Sequence, residues 1–168
     1  FNDLLPHDIN ILKVLNTDDA FQAWKDATAR QYLYQISTRR TAFAKNFVWW
    51  NKDKINVGEM KNAAELLKGK QNLISFAEID DAKKAPTNVF IDSSEVAVAE
   101  DLILIRIRGS HFLPKMIQRL VGNLAEVGRR NLSVRDFERN LKFKTAAAAK
   151  FTAPPSGMFL EKVFYKDI

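Results

Sequence analysis

Apolar and polar positions alternate over residues 30–38, with Arg30, Tyr32, Tyr34 and Ile36 on one side and Gln31, Leu33 and Gln35 on the other. Rich in aromatic and β-branched residues, this stretch predicts a strand. Residues 9–15 (Ile-Asn-Ile-Leu-Lys-Val-Leu), after the turn signal Leu5-Pro6-His7-Asp8, predict another. The period lengthens over residues 56–68, where Val57, Met60, Ala63, Ala64 and Leu67 recur at helical spacing. Asn56 followed by Glu59 resembles a capping box, and Gly69 is a natural stop. Residues 88–98 and 102–108 predict an antiparallel pair, with Ile103, Ile105 and Ile107 inward and Arg106 and Arg108 turned away. The clearest helical stripe spans residues 112–127: Phe112, Leu113, Met116, Leu120, Leu124 and Val127 share a face, opposite Lys115, Gln118, Arg119 and Gly122. Gly128 closes it. A further helix begins at Ser133, capped by the Ser-Val-Arg-Asp pattern, and runs near Leu141. Ala153-Pro154-Pro155-Ser156-Gly157 can only be loop, and residues 158–165 predict a closing strand.

Strands, helix, strands, helices and strand follow one another without βαβα alternation. That order predicts an α+β fold, an antiparallel sheet with helices packed on one face. The 168 residues fit one domain, and the polar stretch 80–86 reads as a surface loop. Twelve Phe and three Trp can fill its core. Phe1 is not an initiator Met, and the opening residues read like the middle of a longer protein, so a fragment is expected. No apolar run is long enough to span a bilayer, and there is no basic-then-apolar leader. The absence of cysteine excludes disulfides and thiolate metal sites and suits a reducing cytoplasm.

A net charge of +6 favours polyanionic partners. His7 and His111 lack a second ligand at metal-binding spacing, so no metal is expected. The six glycines form no phosphate loop, and the pairs Asp18-Asp19 and Asp80-Asp81 sit in loop-like context. What remains is cationic and aromatic. Arg30, Tyr32 and Tyr34 share a strand that exits into Arg39-Arg40; Lys115 and Arg119 share a helix followed by Arg129-Arg130. Rings flanked by cations suit unpaired bases and phosphates, although the same residues also describe core tyrosines beside a solvated charged face.

Five segments in order carry a resemblance. Ala27-Thr28-Ala29-Arg30-Gln31-Tyr32-Leu33-Tyr34 is similar to the Ala-Thr-x-Arg-x-Tyr-x-Tyr signature of TruA-type tRNA pseudouridine synthases. Residues 2–9 resemble the family's preceding Leu-Asn-x-x-Leu-Pro-x-Asp-Ile, and residues 60–76 its Gly-x-His-Asp-Phe-x-Ser-Phe region. Residues 109–122 look like its Gly-x-x-Phe-Leu-x-x-Met-Val-Arg-x-x-Val-Gly helix, and residues 153–165 like its closing Ala-Pro-x-x-Gly-Leu-x-Leu-x-x-Val-x-Tyr.

The resemblance implies the C-terminal part of a cytoplasmic, homodimeric enzyme that isomerises uridine to pseudouridine in the anticodon arm of tRNA, without cofactor or metal. In such enzymes an aspartate assists cleavage of the base–sugar bond, and the base rotates and rejoins through carbon. By resemblance Tyr32 is the ring that holds the extruded base, Leu160 part of the apolar wall, and Arg30 and Gln118 substrate contacts. Arg39, Arg40, Lys115, Arg119, Arg129 and Arg130 are the candidate RNA-backbone cations. The family's Arg-Thr-Asp-x-Gly-Val-His motif does not occur within the 168 residues. It is expected upstream, so this chain alone is expected to be inactive. Gln118 stands where the family has a helix arginine paired with that aspartate, Phe21-Gln22-Ala23-Trp24 where it has Phe-His-Ala-Arg, and Gln71 where many members have His. Two alternatives follow: a diverged, inactive member acting as an RNA-binding or ribonucleoprotein module, or an α+β domain whose basic surface merely keeps it soluble.

Overall fold

The computed structural model describes residues 1–78 and 86–166. Most of the stretch expected as a loop at 80–86, and with it Asp80-Asp81, therefore lies outside the described residues. Strand β1 (Ala27–Ser37) organises the rest. It pairs antiparallel with β5 (Leu102–Gly109) along one edge, in the register Arg30–Gly109 to Ser37–Leu102. Along the other edge it pairs antiparallel with β6 (Met158–Tyr165) and then, at Ile36 and Ser37, parallel with the short β2 (Trp49–Trp50). Beyond β5 lie β4 (Asn88–Ala99) and β3 (Gly69–Asn72). The sheet has six strands and is antiparallel apart from the β1–β2 pair.

The period-two pattern decides which face is covered. Tyr34, Ile36, Ile103, Ile105, Ile107, Ile91 and Val89 all lie within 1% of full burial. They back onto α1 (Val57–Glu65), α2 (Met116–Gly128) and α3 (Val134–Lys142). The opposite face carries Leu33, Leu104 and Phe159, half-buried, around a fork in which Arg106 donates from Nε and Nη2 to the two carboxylate oxygens of Glu161, each at 2.7 Å. Gln31 Nε2 donates to the same carboxylate at 2.8 Å. The fold is α+β, with the helices on one sheet face.

The caps form as expected. Asn56 Oδ1 accepts from the Glu59 N–H at 3.2 Å, and Ser133 Oγ from the Asp136 N–H at 3.0 Å. Three expectations need correction. Residues 9–15 are not a strand: they are exposed and without regular secondary structure, because no other strand among the described residues offers them a ladder. The long helix starts at Met116 rather than Phe112, because Lys115 adopts the left-handed conformation (φ 63°) directly after Pro114. Nor does α2 have a polar side facing water. Every residue from Met116 to Gly128 except Arg119 is buried, including Gln118, Gly122, Asn123 and Glu126. The reason is a second layer: residues 148–153 cross its outer side so closely that a Cβ on Gly122 would stand 2.1 Å from the Phe151 carbonyl oxygen.

Among the described residues no helix is long and apolar enough to cross a membrane.

Candidate nucleic-acid interface

Where β1 passes the start of α2 there is a half-open cavity of about 230 Å³ lined by Tyr32, Phe112, Leu113, Pro114, Lys115, Met116, Ile117, Gln118 and Met158. Each wall has a local cause. Tyr32 sits in the ladder opposite Ile107 and Leu160, so its ring rises from the covered sheet face near the edge of the core. Phe112 meets that ring edge-on, with centroids 5.6 Å apart and planes at 88°. Because α2 does not begin until Met116, Phe112 lies in the non-helical segment before it and is free to face Tyr32.

The turn is pinned from several sides. Ser110 N–H donates to the Phe90 carbonyl at 2.9 Å, and its hydroxyl accepts the Phe90 N–H at 3.1 Å. His111 places one ring nitrogen 3.1 Å from Ser110 Oγ and the other 2.9 Å from the Pro86 carbonyl. Arg30 donates to the carbonyls of Ser110 (3.2 Å) and Trp24 (2.8 Å), clamping this turn and the segment before β1 onto the sheet. Arg30 therefore positions the site from behind and does not line the cavity.

Gln118 lines the cavity at 7% exposure. Its Nε2 donates to the Ala153 carbonyl at 3.1 Å, while the Ala153 N–H donates to the Gln118 backbone carbonyl at 3.0 Å. The Ala153–Gly157 loop is thus tied to α2 at one end. At its other end, Gly157 adopts φ 93°, and a Cβ there would stand 2.6 Å from Gln35 O and 3.0 Å from Trp49 N, a conformation and a space that suit glycine alone. Tyr34 completes the loop's support: its hydroxyl donates to the Pro154 carbonyl at 2.7 Å. Burial pushes that phenol well above its ordinary ionisation range. From β6 it is Met158 that reaches the cavity. Leu160 stands opposite Tyr32 in the ladder, 54% exposed, and is not part of the lining.

The expected backbone cations fall into two groups. Lys115 and Arg119 lie at the start of α2, beside the cavity. Lys115 is exposed and lines the cavity, whereas Arg119 is half-buried and donates to the Ala77 carbonyl. The second group gathers at the other end of α2, about 20 Å away at 1.5 Å per residue. Here Arg129 stacks over Trp49 (5.2 Å) and Arg40 over Trp50 (5.4 Å), so two adjacent rings bring together cations distant in sequence. Arg129 is largely matched internally, by Asp53 at 3.1 Å, Glu126 at 2.5 Å and Asn51 at 2.8 Å. Arg39 pairs with Asp101 at 3.2 Å on the surface. Arg130 is exposed in a left-handed conformation (φ 66°) and joins no ion pair among the described residues. The tryptophan pair escaped sequence reasoning because two residues are too few to show a period.

Comparison with known proteins bears on this geometry. A model of a protein family described as tRNA pseudouridine synthase matches residues 63–166, a span that includes the Phe112–Gln118 wall and Met158; Tyr32 lies upstream of it. The chain is 33% identical over 164 residues to the tRNA pseudouridine synthase A of Pseudothermotoga lettingae, covering 96% of this chain and 67% of that protein. It is 34% identical over 165 residues to that of Thermosipho melanesiensis and 33% over 166 residues to that of Dictyoglomus thermophilum, in each case 98% of this chain and 67% of the relative. The chain thus spans about two thirds of the length of these relatives, and it belongs to the tRNA pseudouridine synthase family.

Proposed function

We propose that this chain is the tRNA-holding, C-terminal part of a cytoplasmic, homodimeric synthase that isomerises uridine to pseudouridine in the anticodon stem-loop. The observation that carries this reading is the Tyr32 cavity: small, mainly apolar, walled by two aromatic rings, and polar only at Tyr32, Gln118 and Lys115. A nucleotide turned out of its stack needs a ring to lie against and a cation near its phosphate. Tyr32 with Phe112 supplies the first and Lys115 the second. The two cationic groups flanking α2 extend contact along the RNA backbone. The acid that attacks the sugar or base belongs to chain beyond these 168 residues, so this chain alone binds RNA without turning it over.

A second reading, a diverged member that binds RNA without isomerising it, is favoured by one observation. Gln118 is tied to Ala153 and offers no cation to a catalytic carboxylate.

The test is pseudouridine formation in an anticodon stem-loop by the full-length protein, its Gln118→Arg variant and its Tyr32→Ala variant. Turnover by the native protein that is lost in Tyr32→Ala is the expected result. Turnover only by the arginine variant selects the second reading, and activity and affinity unchanged in Tyr32→Ala refute the assignment of the ring.

A further inference from the structure

The side-chain amide of Gln118 has one orientation open to it. Its Nε2 lies 3.1 Å from the Ala153 carbonyl oxygen, and turning the amide over would set oxygen against oxygen. The NH2 group is therefore spent on the protein, and Oε1 is the free end. Oε1 has no donor among the described residues, yet it is not one of the buried polar atoms sealed away from solvent. Since Gln118 is 7% exposed and lines the Tyr32 cavity, that oxygen opens onto the cavity. An acceptor fixed in an apolar cavity selects a ligand with a donor at that point, because a desolvated lone pair left unmet is costly.

Resting on the reading that the cavity takes an extruded nucleobase, we infer that Gln118 Oε1 accepts the ring N3–H of uracil and is a specificity-determining residue for uridine. Cytosine carries a bare nitrogen at ring position 3, so acceptor would meet acceptor. The bond also suits the reaction. Converting uridine to pseudouridine exchanges N1 for C5 at the sugar, and both atoms flank C6. The exchange is a half-turn about the line through C6 and N3. N3–H lies on that line, so an acceptor holding it keeps its bond before and after the base turns, and no proton leaves N3. An arginine at position 118 would bring donors only and could not accept this N–H.

The test changes the RNA, so it needs no variant to fold. Affinity of the full-length protein is measured by fluorescence anisotropy, at one salt concentration, for three hairpins differing at a single loop position: uridine, 3-methyluridine or cytidine. The expected result is binding weaker by roughly ten- to a hundredfold for both replacements. Gln118→Met, which keeps length but loses the acceptor, should bind uridine and 3-methyluridine hairpins with affinities within about twofold. Equal wild-type affinity for uridine and 3-methyluridine, with Tyr32→Ala weakening both, overturns the role of Gln118 and leaves the base pocket standing. Equal affinity that Tyr32→Ala does not change removes the pocket itself. Discrimination that persists in Gln118→Met assigns the reading of N3 to another group and also refutes the inference.

Discussion

Replacing Gly122 by alanine sets helix propensity against packing, and the two predict opposite signs. In a helix interior Gly→Ala is worth about 1 kcal/mol in favour of alanine. Here the new Cβ would stand 2.1 Å from the Phe151 carbonyl oxygen, 2.6 Å from its carbon and 3.0 Å from Ala153 N, against ordinary contact of 3.4–4 Å. These are backbone atoms, so the 151–153 segment must retreat by more than an ångström. The two bonds between Gln118 and Ala153, at 3.0 and 3.1 Å, would then break. Two such bonds are worth about 2 kcal/mol together, and residual overpacking adds about 1–3 kcal/mol. Set against the gain in propensity, Gly122→Ala should destabilise the protein by about 2–4 kcal/mol. At this chain length each 1 kcal/mol lowers Tm by about 2–4 °C. Urea unfolding followed by tryptophan fluorescence reads the loss directly, with an unchanged m-value showing that the effect is on stability. Gly58→Ala is the control: it is exposed in α1, and its Cβ would meet only the end of the Asn56 side chain, at 3.2 Å, so its effect should stay near neutral. A Gly122→Ala protein as stable as wild type would show that the close crossing over α2 is absent.

Two further substitutions test the supports of the site and sheet. Tyr34→Phe removes the hydroxyl bonded to Pro154 and should cost about 1–2 kcal/mol in urea unfolding. Because burial raises the folded phenol's pKa, its contribution is complete below the unfolded value of about 10 and declines as pH rises beyond it; an offset between the two proteins that grows above pH 10 would contradict this. Glu161→Gln breaks the fork with Arg106. The Arg106 hydrogen bonds, and then that of Gln31, hold the Glu161 carboxyl below its usual range, so its contribution is present above the unfolded carboxylate pKa and fades as pH falls through the folded one. The pair is partly exposed, and the difference from wild type should be about 0.5–1 kcal/mol near pH 7, shrinking below about pH 4.5. A pH-independent difference would show that the charge plays no part.

The sheet was legible where the alternation had a covered face to report. Ile103, Ile105 and Ile107 read as inward from period alone, and all three are buried; Tyr34 and Ile36 read as sharing one strand face, and the structure makes that face the covered one. The helix caps were legible because Asn56 and Ser133 act within four residues. The resemblance to the synthase family was legible in five ordered segments, and the family match agrees with it. What escaped depends on pieces of chain far apart in sequence. The polar positions of α2 looked solvent-facing because nothing in residues 112–128 announces that residues 148–153 lie over them. Residues 9–15 have the composition of a strand, but composition cannot supply a neighbour to pair with. Phe112 entered the cavity wall only because Pro114 and the left-handed Lys115 delay the start of the helix by about one turn. Arg129 read as a surface cation, and the carboxylates that match it lie both three residues before it and, at Asp53, in a distant loop.

The place of β1 at the centre of the sheet has a consequence for how the protein is made. Its two long neighbours, β5 and β6, come much later in the chain; the Thr28 hydroxyl bonds a carbonyl 136 residues away. At a synthesis rate of about 5–20 residues per second, one edge of β1 waits on the order of ten seconds for its partner. During that interval Tyr32 and Tyr34 stand on an open edge of a nascent sheet, the kind of surface on which other chains nucleate. Folding is thus dominated by late, non-local closure and should be slow for the protein's size. A molecular chaperone that shields the β1 edge during synthesis would raise the yield of native protein without changing its final stability.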